Sequence, residues 1–211
     1  MARWGFVFNQ EKCIGCNACQ MACKDHYDLE AGLFFRRAVT VQIWENGTGR
    51  WVHYSGACNH CADPACVKHC PTGAYYVRED GTVGHHPEKC IGCGTCTWAC
   101  PYGAPHISPR RGISMKCTSC PERRAEGRKP LCVEACLTHC LSFADLDALP
   151  EEDAHKMTDS LPFLPSPELT KPSLLIKKKK NFPFIPSEAG AASGVEGSAA
   201  SGTDGKEDAH V

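Results

Sequence analysis

Seventeen cysteines determine the chemistry that this 211-residue chain could perform. Sixteen of them fall into four groups of four, which we number I to IV in chain order. Groups I and III leave two, two and three residues between successive cysteines, and the middle gap grows to four residues in group II and eleven in group IV. The members are Cys13, Cys16, Cys19 and Cys23 in group I, Cys58, Cys61, Cys66 and Cys70 in group II, Cys90, Cys93, Cys96 and Cys100 in group III, and Cys117, Cys120, Cys132 and Cys136 in group IV.

Group III has the spacing of a bacterial ferredoxin. Its run C-x2-C-x2-C-x3-C is followed by Pro101, and group II also ends in Cys-Pro. Thiolates suit zinc, copper(I) and iron–sulfur clusters, but structural zinc sites usually have two C-x2-C pairs separated by a loop. In the ferredoxin run the first three thiolates bind one cluster and the fourth binds the neighbouring cluster. The four groups therefore predict four [4Fe–4S] clusters.

The number of cysteines also indicates what these clusters do. Four cubane clusters need sixteen thiolates, which is the number in the groups, so every iron has a protein ligand. The sequence contains no phosphate-binding loop and no dinucleotide fingerprint. These features predict an electron-transfer protein that is not itself an enzyme and has no direct small-molecule substrate.

Composition argues against several other classes of protein. The net charge is −1, so we expect no nucleic-acid partner, and zinc-based nucleic-acid binding would need basic patches with interleaved aromatic residues. A disulfide scaffold is disfavoured by the odd number of cysteines and by an N-terminus without a basic-then-apolar leader. The longest apolar runs are too short to span a bilayer. We therefore expect no export signal and no membrane span in this chain.

The segments between the groups must position the cysteines. Alternating β-branched and aromatic residues at 38–44 and 50–56, around an Asn-Gly turn, predict a β-hairpin. Residues 74–86 predict a smaller hairpin around Asp80 and Gly81. Short helical turns are expected after the third cysteine of each group, as in CQMACKDHYD.

The C-terminal part differs in composition from the cysteine-rich core, which we assign to residues 1–149. Residues 150–186 are predicted to be an extended partner-docking segment, because the Pro-rich stretch 161–186 looks too broken for a regular element and should run over a surface. Residues 187–211 are rich in Gly, Ala and Ser and are predicted to form a disordered tail.

The order of these motifs resembles a known family. The segments GFVFNQEKCIGC, FRR, CNHCADPACVKHCPTGA, CIGCGTCTWACPYGAP, KCTSCPERRAEGRKPLCVEAC and LTKPSLLIK occur in sequence between about residues 4 and 180. Together they are similar to the iron–sulfur (B) subunit of the dimethyl sulfoxide reductase family of molybdopterin oxidoreductases. One departure is Leu137, which stands where family members usually have Pro after the last cysteine of group IV.

The resemblance implies both partners and a fold. It implies a molybdopterin catalytic subunit that reduces dimethyl sulfoxide or related S- and N-oxides in anaerobic respiration, and an integral membrane anchor that oxidises menaquinol. The chain would then be peripheral on the cell membrane through these partners, on the extracytoplasmic face by co-export with the catalytic subunit. The implied fold is α+β, with two ferredoxin-like two-cluster lobes, inserted β-hairpins and loops, and an extended C-terminal segment.

In this family, group I pairs with group IV and group II pairs with group III. Combined with the exchange of the fourth cysteine, this pairing implies four ligand sets. They are Cys13, Cys16, Cys19 with Cys136; Cys117, Cys120, Cys132 with Cys23; Cys58, Cys61, Cys66 with Cys100; and Cys90, Cys93, Cys96 with Cys70.

Two other functions stay open from the sequence. The chain could be a soluble polyferredoxin, or the same type of subunit in another molybdopterin oxidoreductase. The inserted loops and residues 161–186 favour a subunit of a complex, since a free carrier has no need of long docking surfaces.

Several other residues allow two interpretations each. Cys140 is predicted to be a small buried side chain rather than a spare ligand. His60 and His69 either tune a cluster or fill space beside it with water on the imidazole. The lysine run at 177–180 is either solvated or in contact with lipid headgroups. Four arginines either pair with a partner's acidic residues or face water: Arg36, Arg37, Arg110 and Arg111.

Overall fold

The computed structural model describes residues 2–45 and 48–179 of the chain. In these residues the fold combines short helices with four small β-sheets, an α+β arrangement. The helices are α1 (Ala18–His26), α2 (Ala65–Lys68), α3 (Thr95–Ala99), α4 (Pro121–Ala125), α5 (Leu131–Glu134) and α6 (Glu151–Ala154). The strands are β1 (Trp4–Asn9), β2 (Arg36–Glu45), β3 (Thr48–Ala57), β4 (Tyr75–Val77), β5 (Val83–His85), β6 (His106–Ile107), β7 (Ser114–Met115), β8 (Leu141–Asp145) and β9 (Leu174–Lys177).

A three-stranded sheet brings together distant parts of the chain. Its strand order is β8-β1-β9. Strand β1 runs antiparallel to β8, with Phe6 opposite Phe143, and parallel to β9, with Phe8 opposite Ile176. The side chains of Phe8 and Ile176 are fully buried, so this sheet contributes directly to the core.

Strand β9 corrects one prediction about the C-terminal segment. The stretch 161–186 was expected to contain no regular element and to run over a surface, but Leu174–Lys177 is a strand with alternating burial. Leu161 is also buried. The reason is that β9 satisfies the backbone hydrogen bonds of one edge of β1, which an isolated Pro-rich segment could not do. The part of this stretch beyond residue 179 and the tail 187–211 lie outside the described residues.

Three two-stranded sheets flank this core. Strands β2 and β3 pair antiparallel with Arg36 opposite Ala57, and their predicted Asn-Gly turn lies outside the described residues. Strands β4 and β5 pair within residues 74–86. Strands β6 and β7 also pair, in a segment where no hairpin was predicted.

The third cysteine of every group lies within a helix. Helices α1, α2, α3 and α5 each begin one residue before that cysteine, so the helical turn starts slightly earlier than predicted. Helix α4 lies in the insertion of group IV and directly follows Cys120. Helix α1 packs against α5, and α2 packs against α3. The helices therefore bring group I beside group IV and group II beside group III.

Residues with a left-handed backbone conformation lie in the tight loops between the cysteines. Asn17 (φ 62°) precedes α1 and Gly94 (φ 77°) precedes α3, at equivalent positions of groups I and III. Gly92 has φ 69°, and a Cβ at this position would overlap the carbonyl oxygen of Gly112. The loop of group III therefore depends on glycine at this close approach of two backbone segments.

The cysteines themselves form much of the core. One cluster of buried side chains joins cysteines of groups I and IV to Phe6, Phe8 and Ile176, and a second joins Cys66 and Cys96 to Tyr75. Among the helices in the described part of the chain, none is both long enough and apolar enough to cross a membrane.

Candidate functional site

Three cavities in the described residues are each lined by four of the grouped cysteines. Each cavity collects three cysteines of one group and the fourth cysteine of another, and we name it after the group that supplies three. The group I cavity contains Cys13, Cys16, Cys19 and Cys136, the group II cavity Cys58, Cys61, Cys66 and Cys100, and the group III cavity Cys90, Cys93, Cys96 and Cys70.

The remaining four grouped cysteines also lie together, and we call them the group IV set. Burial raises the pKa of the Cys23 thiol, and the neighbouring thiolates of Cys117, Cys132 and Cys120 raise it further. Burial likewise raises the pKa of Cys117 to about 12, with the thiolate of Cys132 acting in the same direction. Cys23 thus stands among the first three cysteines of group IV.

Exposure differs among the four sites. The second cysteines of groups I and III, Cys16 and Cys93, are exposed, whereas Cys117 and Cys120 of group IV are buried. All seventeen cysteines lie in the described part of the chain, and none of them forms a disulfide there. The group I and group III cavities therefore open toward the surface, and the group IV set is enclosed.

Backbone N–H groups point at several of the sulfurs. Ala74 donates to Cys70 Sγ at 3.2 Å, Ser119 to Cys117 Sγ at 3.4 Å, and Ser114 to Cys90 Sγ at 3.4 Å. Such hydrogen bonds stabilise negative charge on sulfur and are one of the means by which a protein sets a cluster's reduction potential.

Hydroxyl groups also lie near the sulfurs, and they were not predicted from the sequence. Ser114 Oγ lies 3.1 Å from Cys96 Sγ, and the Tyr27 hydroxyl donates to Cys120 Sγ at 3.4 Å. The sequence did contain one sign of these hydroxyl–sulfur contacts, because a threonine follows a grouped cysteine by two residues in three groups. The sulfur–oxygen distances are 3.7 Å for Cys70 and Thr72, 3.3 Å for Cys93 and Thr95, and 3.9 Å for Cys136 and Thr138.

Lys116 is a buried cation at the group II cavity. Its Nζ donates to the carbonyl oxygens of Val83 at 2.7 Å and Cys117 at 3.1 Å. Burial raises the pKa of Cys66 to about 12, the thiolate of Cys58 adds to this, and the Lys116 ammonium opposes it. Lys116 therefore favours negative charge on the cysteines of this cavity.

Arg36 is a second buried cation, which corrects the expectation that it faces a partner or water. Its side chain is only 2% exposed. Burial alone would lower the pKa of Arg36, but the thiolates of Cys132, Cys117 and Cys19 outweigh burial and hold the pKa above its usual value. Arg36 therefore lies between the group I cavity and the group IV set.

The other basic residues have different surroundings. Arg37 and Arg111 are exposed in the chain, so both interpretations of these two residues stay open. Arg110 binds within the chain, because its Nη2 lies 2.8 Å from Asp28 Oδ2. Lys177 pairs with Glu11 at 3.2 Å, Lys178 and Lys179 are exposed, and Lys180 lies outside the described residues.

The two histidines of group II differ from each other. His60 is fully buried, its Nδ1 accepts a hydrogen bond from the Val83 N–H at 3.0 Å, and its Nε2 has no hydrogen-bond partner among the described residues. Burial holds the pKa of His60 well below its usual value, with the charge of Lys116 acting in the same direction. His69 is exposed and its Nδ1 lies 2.9 Å from the carbonyl oxygen of Ala65.

Cys140 is buried, as predicted, with 5% of its surface exposed. It nevertheless lines the group I cavity beside Cys136. The strongest influence on the Cys13 thiol is a hydrogen bond with Cys140, which lowers the pKa of Cys13 to about 7 although burial opposes it.

Comparison with known protein families agrees with this geometry. A family model described as a 4Fe-4S dicluster domain matches residues 49–146, and a second model of the same description matches residues 12–74. The chain is therefore a ferredoxin-like iron–sulfur protein that binds [4Fe–4S] clusters through two dicluster domains.

Individual relatives narrow the family further. The B subunit of the anaerobic dimethyl sulfoxide reductase of Escherichia coli (strain K12) is 41% identical over 187 residues, which cover 85% of this chain and 90% of the relative. The B subunit of the Haemophilus influenzae enzyme is 40% identical, with 85% of this chain and 91% of the relative covered. The formate dehydrogenase iron-sulfur subunit of Wolinella succinogenes is 40% identical, with 70% and 84% covered.

The chain belongs to the family of iron–sulfur subunits of the dimethyl sulfoxide reductase family of molybdopterin oxidoreductases. Its relatives are named as iron–sulfur or electron-transfer subunits of oxidoreductase complexes, so it is a non-catalytic electron-transfer subunit with a catalytic partner.

Proposed function

We propose that the chain holds four [4Fe–4S] clusters and carries electrons from a quinol-oxidising membrane anchor to a molybdopterin subunit that reduces dimethyl sulfoxide or related S- and N-oxides. The observation that carries this proposal is the composition of the cavities, each with three cysteines of one group and the fourth of the paired group. This composition is what the ferredoxin pattern of ligand exchange requires.

The residues present fit clusters of this kind. Each of the three cavities is lined by four grouped thiols, which are the ligands that iron–sulfur clusters use. When bound, such a cluster supplies reversible one-electron chemistry. The cysteines would hold the clusters in the four sets named above, with Cys136, Cys23, Cys100 and Cys70 as the exchanged fourth ligands.

The electrostatic interactions between cysteines of neighbouring sites support one linear order. Burial raises the pKa of Cys19 in the group I cavity, and the thiolate of Cys132 in the group IV set raises it further. Burial also raises the pKa of Cys117 in that set, and the thiolate of Cys58 in the group II cavity acts in the same direction. The pKa of Tyr75 is raised by burial and by thiolates of two cavities, Cys96 of group III and Cys66 of group II. The resulting order is I, IV, II, III, with the exposed Cys16 and Cys93 at the two ends.

Apolar side chains surround both exposed ends. Ile14 and Met21 of group I are 59% and 54% exposed, and Ile91 and Trp98 of group III are 68% and 88% exposed. Apolar surface around an exposed site of electron exchange suits permanent partners, because burial of such surface favours association. We assign the two ends to the two partner subunits.

The proposed function also implies where the chain lies in the cell. The chain would be peripheral on the cell membrane, held there by its partners, on the extracytoplasmic face by co-export with the catalytic subunit. A relative named as a formate dehydrogenase subunit supports a second candidate, which is the same electron transfer in a complex with a different molybdopterin enzyme.

Metal and sulfide analysis tests the clusters. Anaerobically purified chain or complex is expected to contain about sixteen iron and sixteen acid-labile sulfide per chain, from the four-thiolate rule. Zinc without sulfide would contradict the proposal. A molybdenum-containing subunit and an integral membrane protein should co-purify with the chain, and isolation of the loaded chain alone from its natural source would favour a soluble polyferredoxin instead.

A further inference from the structure

Arg36 begins strand β2 and is enclosed by protein on every side. Its guanidinium carbon lies 4.3 Å from the centroid of the Phe6 ring. Its Nη1 donates to the Ser55 carbonyl oxygen at 3.0 Å and to Ser55 Oγ at 3.2 Å. Burial and these contacts fix the position of a permanent positive charge inside the protein, because arginine stays protonated.

Two parts of this guanidinium have no oxygen or nitrogen acceptor. Nε and Nη2 of Arg36 are buried and make no hydrogen bond to oxygen or nitrogen within the described residues, whereas a hydrogen bond to the Cys132 side chain is among the interactions that raise the pKa of Arg36. An unsatisfied buried charged donor is costly, because the group has lost its water without gaining an acceptor. The pattern points to an acceptor that is not a protein oxygen.

The anionic groups that act most strongly on Arg36 are thiolates of two sites. They belong to Cys132 and Cys117 of the group IV set and to Cys19 of the group I cavity. Ser55 provides a second connection to the group I cavity, since its Oγ also lies 3.3 Å from Cys19 Sγ. One cation is therefore shared by two neighbouring cysteine sites.

We propose that Arg36 is a positioning residue for charge, whose unpaired N–H groups donate to sulfur at the group IV set and whose cation stabilises the reduced state at both the group IV set and the group I cavity. This inference rests on the proposed function, because it requires clusters at these sites. Addition of an electron makes a site more negative by one charge, and a buried cation nearby lowers the energy of that state. Arg36 thus raises the reduction potentials of these two clusters relative to a neutral residue.

A purely structural role is the competing explanation. In that case Arg36 would only pack on Phe6 and hold Ser55, and its charge would have no effect on reduction. The two explanations differ in their response to Arg36→Gln and Arg36→Lys, because glutamine removes the charge and lysine keeps it. Arg37 supplies a matched control, since it is adjacent in sequence but exposed and changes the net charge equally when it becomes glutamine.

The experiment is a potentiometric titration of the anaerobically isolated, cluster-loaded chain or complex, followed by electron paramagnetic resonance. Iron and sulfide are counted first in each variant. In R36Q, two of the four clusters are expected to become harder to reduce. At their wild-type midpoints the ratio of reduced to oxidised form should fall about tenfold or more, which is about 59 mV for a one-electron couple. R36K should show a smaller fall, and R37Q none.

The assignment of the signals comes from Cys136→Ser and Cys23→Ser, which perturb the group I cavity and the group IV set respectively. Unchanged potentials in an R36Q protein with its full iron would overturn the role of Arg36 and leave the proposed function intact. Equal shifts in R36Q and R37Q, or shifts confined to groups II and III, would overturn it too. R36Q could fail to assemble its clusters. In that case, full assembly of R36K supports the role of the charge, whereas loss of the same clusters from R36Q and R36K contradicts that role. Absence of iron and sulfide from the wild type would instead contradict the proposed function.

Discussion

The Sγ atoms of Cys136 and Cys140 lie 3.3 Å apart, and the backbone N–H of Cys140 donates to Cys136 Sγ at the same distance. Cys140 is therefore in contact with a proposed ligand although it belongs to none of the four groups. Its backbone contribution does not depend on the thiol, so the side chain and the main chain of this residue can be separated by mutation.

Cys140→Ala is expected to leave all four clusters in place. The N–H bond to Cys136 is kept, and loss of one small buried side chain costs about 1 kcal/mol of stability, the centre of the range for point mutations. Iron and sulfide counts should equal those of the wild type. Cys136→Ser is the matched variant and should lower the iron content or alter the group I signal, and a loss of iron from Cys140→Ala would make Cys140 a ligand.

Cys100→Ser is expected to disturb the group II cluster before the group III cluster. Cys100 belongs to group III by sequence but lines the cavity of Cys58, Cys61 and Cys66. The group III cavity keeps Cys90, Cys93, Cys96 and Cys70, so its four thiolates are unchanged. Magnetic resonance of the reduced protein is the measurement, and selective loss of the group III signal would contradict the exchange of ligands.

Lys116→Met is expected to destabilise the region around the group II cavity. The mutation leaves the carbonyl oxygens of Val83 and Cys117 without their donor, at about 1–3 kcal/mol for an unsatisfied buried group. Removal of the cation should also make the group II cluster harder to reduce. Denaturant-induced loss of the cluster absorbance measures the first effect, and Lys129→Met, at an exposed lysine, is the control. Equal behaviour of the two variants would contradict the prediction.

Asp80→Asn is expected to weaken the attachment of the second hairpin to group IV. Asp80 Oδ2 lies 2.7 Å from Arg124 Nη2, and Thr82 donates to Asp80 through both its N–H and its hydroxyl. Partial burial would raise the pKa of Asp80, but the hydrogen bonds from Thr82 and the charge of Arg124 lower it overall. Asparagine keeps an oxygen that can accept from Thr82 but removes the charge that pairs with Arg124, so the expected loss is about 1 kcal/mol, the upper end for a partly exposed ion pair.

The pH dependence of this effect has a definite sign. Because the folded-state pKa of Asp80 lies below the unfolded value of about 3.9, its contribution is fully present above that value and is lost as the pH falls through the folded-state pKa. The stability difference between wild type and Asp80→Asn should therefore be equal at pH 8 and pH 5 in anaerobic denaturation. Glu79→Gln, at an exposed carboxylate next to Asp80, is the control. A difference that already declines between pH 8 and pH 5 would contradict this account.

The local geometry of the cysteine loops could be predicted from the sequence. The first three cysteines of groups I and III are separated by two residues each, so they share one tight loop whatever the rest of the chain does. The glycines of these loops and the alternating residues of β2 and β3 are equally local signals. Short-range spacing was sufficient here because the interacting atoms are close in the chain.

Contacts between distant segments could not be predicted in the same way. The LLIK segment of β9 alternates between buried and partly buried residues, but its neighbouring prolines concealed it, and only the free edge of β1 makes it a strand. Arg36 resembled a surface arginine, and its burial depends on Phe6, Ser55 and two cysteine groups that are far apart in sequence. The sequence alone determined that this chain has four sets of thiols and where three members of each set lie. The fourth thiol of each set followed from the resemblance to the family and not from spacing. The tertiary structure brings that thiol to its set and buries cations beside it, because packing of helices and strands from distant segments determines both.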